Sequence, residues 1–321
     1  MTEKFDLVVI GGGSGGLAAA QRAAEYGAKV VLAEVGRLGG TCVNVGCVPK
    51  KIMWNAAELG AALHEAADYG FRVEMRGLDW GALKARRDAY IERLNAIYAA
   101  NLARRSIELV RARASFIDAH TVSAGERRLR AEHILIATGS RPRLPAIPGV
   151  ELGITSDGFF ELSERPRRAA VVGSSYIAIE LAGIFAGLGT ETTLVMRGDT
   201  ALKTFDDMLG EVALTMLRAD GVEIATNTVP VGLTRAAHGA IELKALDGRV
   251  LGPYDCVVWA IGRGAVVEDL ALERAGVGLD TEAVVARAPV SRTRTRCVRA
   301  TGCCTPRTSS SPPAAGRACR R

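Results

Sequence analysis

The chain has 321 residues, 48% of them hydrophobic and 24% charged, which suits two domains of ordinary size. No apolar run approaches the roughly 18 to 20 residues of a membrane span and the N-terminus lacks a secretory signal, so a soluble, cytoplasmic α/β protein is expected. The net charge of +6 does not indicate a nucleic-acid partner, because residues 283–321 hold nine arginines and no acid, whereas residues 1–282 are slightly acidic.

The first 34 residues read as a strand, a helix and a second strand. "FDLVVI" (5–10) is an apolar, β-rich run that ends in glycines, "LAAAQRAAEYG" (17–27) has the composition of a helix, and "AKVVLAE" (28–34) is again a strand. A strand–helix–strand unit of this kind favours a parallel sheet.

A glycine-rich turn joins the first strand to the first helix. Gly11, Gly13 and Gly16 form a G-x-G-x-x-G pattern, which allows a tight turn and brings backbone N–H groups and the helix N-terminus to a pyrophosphate. Glu34 ends the second strand, where a carboxylate can accept hydrogen bonds from an adenosine ribose. The pattern predicts a dinucleotide site. The residues assigned to it are Gly11, Gly13, Ser14, Gly15, Gly16 and Glu34.

Cys42 and Cys47 follow in "RLGGTCVNVGCVPKK", before a helix-like segment. A plant-type iron–sulfur site would need a third cysteine where Lys50 stands, and a zinc site would need another close pair of Cys or His, so no metal is predicted. A structural disulfide is disfavoured in a cytosolic chain, which leaves a catalytic or redox-sensing pair. The helix N-terminus and the nearby Lys50 and Lys51 are expected to lower the thiol pKa values and to favour the thiolate.

The middle of the chain contains a long predicted helix and a predicted domain crossing. Residues 79–105 carry apolar side chains at helical spacing, and residues 131–150 read as a strand followed by a glycine- and proline-rich connection. A second strand, glycine turn, helix and strand occupy residues 168–197. The predicted fold class is therefore α/β with two Rossmann-like nucleotide-binding domains, a first at 1–150 and a second at 151–282.

The second glycine turn, "GSSYIA" from Gly173, matches G-x-G-x-x-A except that Ser175 replaces the middle glycine. A Cβ there takes room where the backbone should approach a pyrophosphate most closely, so weakened binding is expected. Arg197 and Lys203 lie beyond the next strand, where a ribose-binding acid is otherwise found. Cations at this place suit a 2′-phosphate and favour NADPH over NADH, and two solvated surface charges are the alternative.

Two nucleotide folds and a dithiol predict an electron path from a nicotinamide through a flavin to the cysteine pair, and from a thiolate of that pair to an outside substrate. Three segments resemble the pyridine nucleotide-disulfide oxidoreductases: "GGTCVNVGCVPKK" their redox-active disulfide, "ILIATGSRP" a strand of their flavin domain, and "VVWAIGR" the end of their NADPH domain. "RDAYIERLNAIY" (87–98) and "LGITSDGFFEL" (152–162) are most similar to the branch that reduces glutathione disulfide. The resemblance runs to about residue 282 and implies FAD, NADPH, glutathione disulfide as substrate and a homodimer.

The resemblance also implies roles for individual residues. Cys42 is implied to attack glutathione disulfide, and Cys47 to lie next to the flavin. Lys50 and Glu180 are implied to pair near the flavin, and Tyr176 to cover the nicotinamide pocket. Further residues implied to contact the cofactors are Thr41, Thr138, Gly139, Gly173, Ile177, Arg197, Lys203 and Gly262.

Two tyrosines of the predicted long helix are assigned to the substrate. The resemblance implies that Tyr98 lines the glutathione site, with Tyr90 eight residues before it. The alternative is that both pack in the core, since aromatic residues at helical spacing usually do so.

The chain departs from the family pattern after "AIGR". A Pro-Asn pair is absent from "GRGAVVEDL", and no aspartate follows Asp280 to supply the family's Gly-Asp flavin motif. The C-terminal dimerisation domain, with the histidine that protonates the leaving thiolate, is expected to be missing. The histidines of the chain, none of them in such a context, are His64, His120, His133 and His238.

Residues 283–321 are rich in Arg, Ser, Pro and Cys and are expected to be a disordered, non-native tail translated out of frame, with a nucleic-acid-binding arm as the alternative. The leading hypothesis for the chain is an NADPH-dependent glutathione-disulfide reductase in which the truncated form has little or no turnover. The alternatives are a non-catalytic remnant that binds FAD or NADPH, and another disulfide reductase such as dihydrolipoamide dehydrogenase.

Overall fold

A computed structural model of the chain describes residues 1–74, 76–279 and the strand 286–287. The strands are β1 (Thr2–Ile10), β2 (Val30–Ala33), β3 (Glu108–Val110), β4 (Ala114–Asp118), β5 (Thr121–Ala124), β6 (Arg127–Ile136), β7 (Ser140–Pro142), β8 (Ile154–Thr155), β9 (Arg168–Val172), β10 (Glu191–Val195), β11 (Glu223–Ala225), β12 (Pro230–Arg235), β13 (Ile241–Ala245), β14 (Val250–Tyr254), β15 (Cys256–Trp259), β16 (Arg263–Ala265), β17 (Gly278–Leu279) and β18 (Ala286–Arg287). The α-helices are α1 (Ser14–Glu25), α2 (Gly40–Asn44), α3 (Cys47–Glu65), α4 (Trp80–Arg104), α5 (Ser156–Glu161), α6 (Tyr176–Gly187) and α7 (Asp207–Ala219). Apart from β18, which pairs with β17, the predicted tail lies outside the described residues.

The first half of the chain forms a six-stranded sheet in the order β3-β2-β1-β6-β5-β4. Strands β1, β2, β3 and β6 are parallel, and β4 and β5 are added antiparallel. All four residues of β2 are buried because apolar side chains cover both faces of the sheet there. The predicted strand–helix–strand unit is confirmed, although its helix begins at Ser14, three residues before the predicted start.

The second half forms a five-stranded, fully parallel sheet in the order β11-β10-β9-β15-β8. The predicted second strand–turn–helix–strand unit is confirmed as β9, α6 and β10. The predicted long helix is α4, which begins after Asp79, whose side chain accepts a hydrogen bond from the N–H of Ala82. These two sheets and their helices confirm the α/β class with two Rossmann-like units. In the described part of the chain, no helix is long and apolar enough to cross a membrane.

Helices α3 and α6 connect the two halves by close packing. A Cβ placed on Gly187 would lie 2.7 Å from the Cβ of Ala57, and one on Gly183 would lie 3.2 Å from the ring of Trp54. Trp54 faces Gly183, and Ala57, further along α3, faces Gly187, further along α6; the two helices therefore run parallel. The helix that begins at Cys47 is therefore packed side by side with the helix that begins after the second glycine turn.

The chain returns to the first sheet after β16. Strand β16 pairs antiparallel with β7, and the N–H of Phe116 in β4 donates to the carbonyl of Leu270. Leu270 and Leu272 are buried in the core under the first sheet. The predicted division into domains at residues 150 and 282 stays a prediction, and we propose from this packing that the second domain ends nearer to β16.

Candidate redox and nucleotide site

A cavity of about 680 Å³ lies where the two halves meet. Its size is typical of a site for a small molecule or cofactor. Seven separate stretches of the chain line it: the first glycine turn, Glu34 after β2, the cysteine segment, the loop after β6, helix α5, the start of α6, and Arg263 in β16. The sequence-predicted residues among its lining are Gly13, Ser14, Gly15, Glu34, Thr41, Cys42, Cys47, Lys50, Thr138, Gly139, Tyr176, Ile177 and Glu180.

The glycines of the first turn serve two different purposes. Gly11 has a φ of +108°, and a Cβ there would collide with the carbonyl oxygen of Ala137. A Cβ at Gly16 would collide with the carbonyl oxygen of Gly11, so both positions require glycine for internal packing. Gly13, in contrast, faces the cavity, and the nearest atom to a Cβ there would be 3.7 Å away. The turn thus leaves open backbone at the N-terminus of α1, as an approaching phosphate requires.

Glu34 is held at the edge of the cavity by the backbone. Its Oε2 accepts a hydrogen bond of 2.6 Å from the N–H of Gly12, and its Oε1 accepts one of 2.6 Å from the N–H of Gly36. Each carboxylate oxygen keeps further acceptor capacity for a ligand hydroxyl. The side chain is therefore preoriented where the sequence places a ribose.

The cysteine pair lies on the wall of the cavity. Cys42 belongs to the short helix α2 and is half-buried, whereas Cys47 is the first residue of α3 and is exposed to the cavity. The structure shows both as free thiols. Among the described residues, no group of three or more His, Cys, Asp and Glu side chains could hold a metal ion.

The expected lowering of both thiol pKa values is wrong for Cys47. Its pKa is raised to about 11, first because protein atoms partly desolvate the sulfur, and then because of the hydrogen bond with Cys42 and repulsion from a Cys42 thiolate. The backbone at the start of α3 and the ammonium of Lys50 act in the predicted direction and lower this pKa, but they do not outweigh the other causes. In the reduced pair, Cys47 thus keeps its proton at neutral pH.

An ion pair joins the two halves beside the thiols. The Nζ of Lys50 on α3 lies 2.8 Å from Oε1 of Glu180 on α6, and the two side chains are only 23% and 32% exposed. Both residues line the cavity. The predicted pairing of these two residues is present, although they are 130 positions apart in the sequence.

The second glycine turn also has one position that requires glycine. Gly173 has a φ of +145°, and a Cβ there would collide with the carbonyl oxygen of Ala260. Ser175 has a φ of −85° and a ψ of 172°, an extended conformation that any residue adopts. The backbone of this turn therefore accepts the serine without strain.

A loop with two cations docks against the second turn. The N–H of Leu202 donates a hydrogen bond of 2.8 Å to the carbonyl of Ser174, which fixes the loop after β10 to the turn. The Nζ of Lys203 lies close to Gly198, which follows Arg197 in the sequence. A Cβ added to Gly198 would be 3.4 Å from this nitrogen. Arg197 and Lys203 are both exposed to solvent and lie outside the lining of the cavity. The ammonium of Lys203 thus lies near the backbone next to Arg197, and both predicted cations are accessible.

Three further predicted residues do not line the cavity. Tyr98 is half-buried and packs against the core cluster that contains Leu102, which agrees with the alternative that this residue packs in the core. Tyr90 is 42% exposed, with the guanidinium of Arg93 lying 5.3 Å from its ring centroid. Gly262, between β15 and β16, has a φ of +123° and open space around it.

The sequence reasoning missed Arg263, which connects three walls of the cavity. Its guanidinium donates to the carbonyl of Ser140 at 2.6 Å and to the hydroxyl of Thr41 at 3.3 Å, and it lies 3.6 Å from Asp157. Burial raises the pKa of Asp157, although the charge of Arg263 opposes this shift. Arg263 ends the segment "VVWAIGR" and Ser140 lies in "ILIATGSRP", so the resemblance could have drawn attention to both residues.

Comparisons with known proteins agree with this geometry. The family described as "Pyridine nucleotide-disulphide oxidoreductase" matches residues 5–318. The "Glutathione reductase" of Schizosaccharomyces pombe is 45% identical over 287 residues, and that of Yarrowia lipolytica is 42% identical over 289 residues. These alignments cover 86% and 85% of this chain, and this chain spans 62% of the length of each relative.

A solved structure has the same architecture. The copper(II) complex of the HOCl-induced flavoprotein disulfide reductase RclA from Escherichia coli superposes with a TM-score of 0.76 and 26% identity. The superposition covers 87% of this chain and 61% of the RclA chain.

Proposed function

The chain belongs to the pyridine nucleotide-disulphide oxidoreductase family, and from this premise we propose that it carries electrons from NADPH to glutathione disulfide through the Cys42–Cys47 pair. The observation that supports this most strongly is the cavity that collects both thiols, the Lys50–Glu180 pair and the first glycine turn at the junction of two Rossmann-like units. We place this activity in the cytoplasm, where cysteine pairs that are not structural are usually kept reduced.

The family implies FAD and NADPH as cofactors, and the residues fit both groups. For FAD, the turn around Gly13 offers open backbone for the pyrophosphate and Glu34 offers carboxylate oxygens for the ribose. For NADPH, Arg197 and Lys203 offer exposed cations for a 2′-phosphate. When bound, the two cofactors would deliver an electron pair to the cysteine disulfide.

The chain's own chemistry begins once the pair is reduced. Cys42 attacks one sulfur of glutathione disulfide as a thiolate, forms a mixed disulfide with one glutathione and releases the other as a thiolate. Cys47 then gives its proton to the glutathione thiolate already released, attacks the Cys42 sulfur and restores the cysteine disulfide. The second glutathione leaves as a thiolate that takes a proton from solvent. Because the pKa of Cys47 is raised to about 11, the first attack at neutral pH falls to Cys42.

Lys50 and Glu180 are proposed to hold charge next to this chemistry. The ammonium of Lys50 lowers the pKa of Cys47 and so favours the thiolate needed in the second attack. Glu180 fixes the position of this ammonium at 2.8 Å and ties the thiol helix to the helix of the second turn. Tyr176, exposed at the mouth of the same cavity, is proposed to cover the nicotinamide pocket.

Glutathione disulfide is proposed because relatives at 42–45% identity carry the name glutathione reductase. A single-turnover experiment tests this choice. The purified chain, reduced and freed of reductant, is mixed with glutathione disulfide, lipoamide or cystine, and the mixed disulfide at Cys42 is followed by mass spectrometry. Exchange with glutathione disulfide should be at least about tenfold faster than with lipoamide. Equal or faster exchange with lipoamide, together with a preference for NADH, would point instead to a dihydrolipoamide dehydrogenase.

A further inference from the structure

We propose that the hydroxyl of Ser175 donates a hydrogen bond to a pyrophosphate oxygen of the nicotinamide dinucleotide. The serine would then set nucleotide affinity at the position where G-x-G-x-x-A has its middle glycine. This inference rests on the proposed function, because it takes NADPH as the nucleotide at the second turn.

The conformation of the turn shows that Ser175 replaces a glycine without a backbone cost. The glycine-only conformation belongs to Gly173, with its φ of +145°, whereas the φ of Ser175 is −85°. A glycine at position 175 would therefore be needed only for the close approach of a ligand. The serine is accordingly expected to change ligand binding and not the backbone conformation.

The hydroxyl of Ser175 lacks a partner in the protein. Of the buried side-chain nitrogen and oxygen atoms in residues 1–74 and 76–279, only its Oγ makes no hydrogen bond. Leaving a buried hydroxyl unpaired is unfavourable, so a ligand that supplies an acceptor gains the interaction and removes this cost.

The other capped helices of the chain show that this arrangement is unusual. Asp79, Thr155 and Asp206 each cap a helix by accepting a hydrogen bond from a backbone N–H of the first turn. Ser175 is the N-cap residue of α6 but makes no such bond. The hydroxyl of Ser175 is therefore not committed to the backbone of α6.

The surroundings of the turn favour an anionic ligand. The twelve-residue helix α6 directs its N-terminus at the turn, and the hydrogen bond from Leu202 to Ser174 brings the loop of Arg197 and Lys203 to the same end. The proposed contact requires rotation of Ser175 about its Cα–Cβ bond to another staggered position, which moves the hydroxyl out of its buried position.

Isothermal titration of the purified chain with NADP⁺ and with 2′-AMP tests this assignment. The second ligand keeps the 2′-phosphate but lacks the pyrophosphate. Ser175→Ala should bind NADP⁺ about tenfold more weakly, since it loses a hydrogen bond to a charged group and keeps the Cβ, while its affinity for 2′-AMP stays unchanged. Without nucleotide, the same variant should have a thermal midpoint about 2 °C higher, because the unpaired hydroxyl is gone.

Ser175→Gly is the matched second variant. It should bind NADP⁺ within about threefold of the natural chain, because closer backbone approach replaces the lost hydrogen bond. If Ser175→Ala binds NADP⁺ as tightly as the natural chain or more tightly, the serine is only an obstacle and the inference is overturned while the proposed function stands. If the natural chain does not bind NADP⁺ at all, both the inference and the proposed use of NADPH fail.

Discussion

The two glycine turns share a strand–turn–helix order but differ in what surrounds them. The first turn opens into the cavity that holds the thiols, and a carboxylate, Glu34, lies at the end of the following strand. The second turn carries Ser175, and two exposed cations, Arg197 and Lys203, lie beyond its following strand. We therefore propose that the same scaffold discriminates between nucleotides through a few side chains placed after its second strand.

The two halves of the chain also contribute different groups to the cavity. The first turn lines the cavity beside Cys42 and Cys47 with Gly13, Ser14 and Gly15, whereas the second half contributes residues of α6, among them Tyr176 and Glu180. The parallel packing of α3 and α6 holds these contributions in register. The first half is thus proposed to exchange electrons with disulfides, and the second half to supply them.

The largest expected effect is on the rate of mixed-disulfide formation, and it distinguishes the roles of the two thiols. Cys42→Ser should slow formation of the mixed disulfide with glutathione by roughly 10²-fold or more at pH 7.5, because it removes the proposed nucleophile while desolvation, the largest cause of the raised pKa of Cys47, remains in the variant. Cys256→Ala is the matched control, since Cys256 is buried away from the cavity and its own pKa is raised to about 12 by burial. Mass spectrometry of the reduced chain after mixing measures the rate. A greater loss in Cys47→Ser than in Cys42→Ser would reverse the proposed roles.

The second prediction concerns a substitution that disrupts the packing of α3 against α6, which connects the two halves. Gly187→Ala should lower the free energy of unfolding by about 2 kcal/mol, roughly 30-fold in the equilibrium constant, because the new Cβ would lie 2.7 Å from the Cβ of Ala57. Gly81→Ala is the control: it is an exposed helical position where the Cβ meets only Oδ1 of Asp79 at 3.4 Å. This second variant should be neutral or slightly more stable, since alanine is the better helix former. Urea denaturation measures both, and equal destabilisation would show that the α3–α6 contact is not special.

The third prediction sharpens the electrostatic contrast between the turns. Arg197→Ala should reduce the preference for NADP⁺ over NAD⁺ about tenfold, because it removes one cation from the proposed 2′-phosphate site. Lys203→Ala should act in the same direction. Arg218→Ala, at the far end of α7, serves as the control for loss of a positive charge. An unchanged preference in both test variants would support the reading of two solvated surface charges.

The smallest predicted effect concerns the ion pair at the thiols. Lys50→Met should raise the pKa of Cys47 above its value of about 11, and Glu180→Gln should lower it, because the freed ammonium can then turn toward the thiolate. Each shift should be about half a pH unit, which is roughly threefold in thiolate, since both side chains are partly exposed. The pH dependence of iodoacetamide alkylation at Cys47 measures the shifts. Shifts of the same sign would contradict the proposed role of the pair.

The sequence was sufficient for features that depend on local pattern. The two strand–turn–helix–strand units follow from runs of apolar residues and from glycines such as Gly11 and Gly173, whose conformations no other residue adopts easily. The pairing of Lys50 with Glu180 was reached only through the family resemblance, because nothing in the local pattern connects residues 130 positions apart.

Features that depend on burial and on distant contacts were beyond the sequence. The pKa of Cys47 was misjudged because desolvation and the neighbouring Cys42 outweigh the visible cation. The buried Arg87 donates to the carbonyl of Phe160, a residue of the cavity wall, yet it looks like any charged residue of a long helix. The return of residues 267–277 to the first sheet likewise depends on packing that no local pattern specifies.

The central claim is that NADPH reduces the Cys42–Cys47 pair. The most direct test adds NADPH without oxygen to the FAD-loaded chain with this pair oxidised, followed by alkylation and peptide mapping. We predict that Cys42 and Cys47 become alkylated only after NADPH is added, whereas the buried Cys256 shows no dependence on NADPH. A pair that stays oxidised while FAD and NADP⁺ both bind would contradict the claim and leave a nucleotide-binding protein without disulfide chemistry.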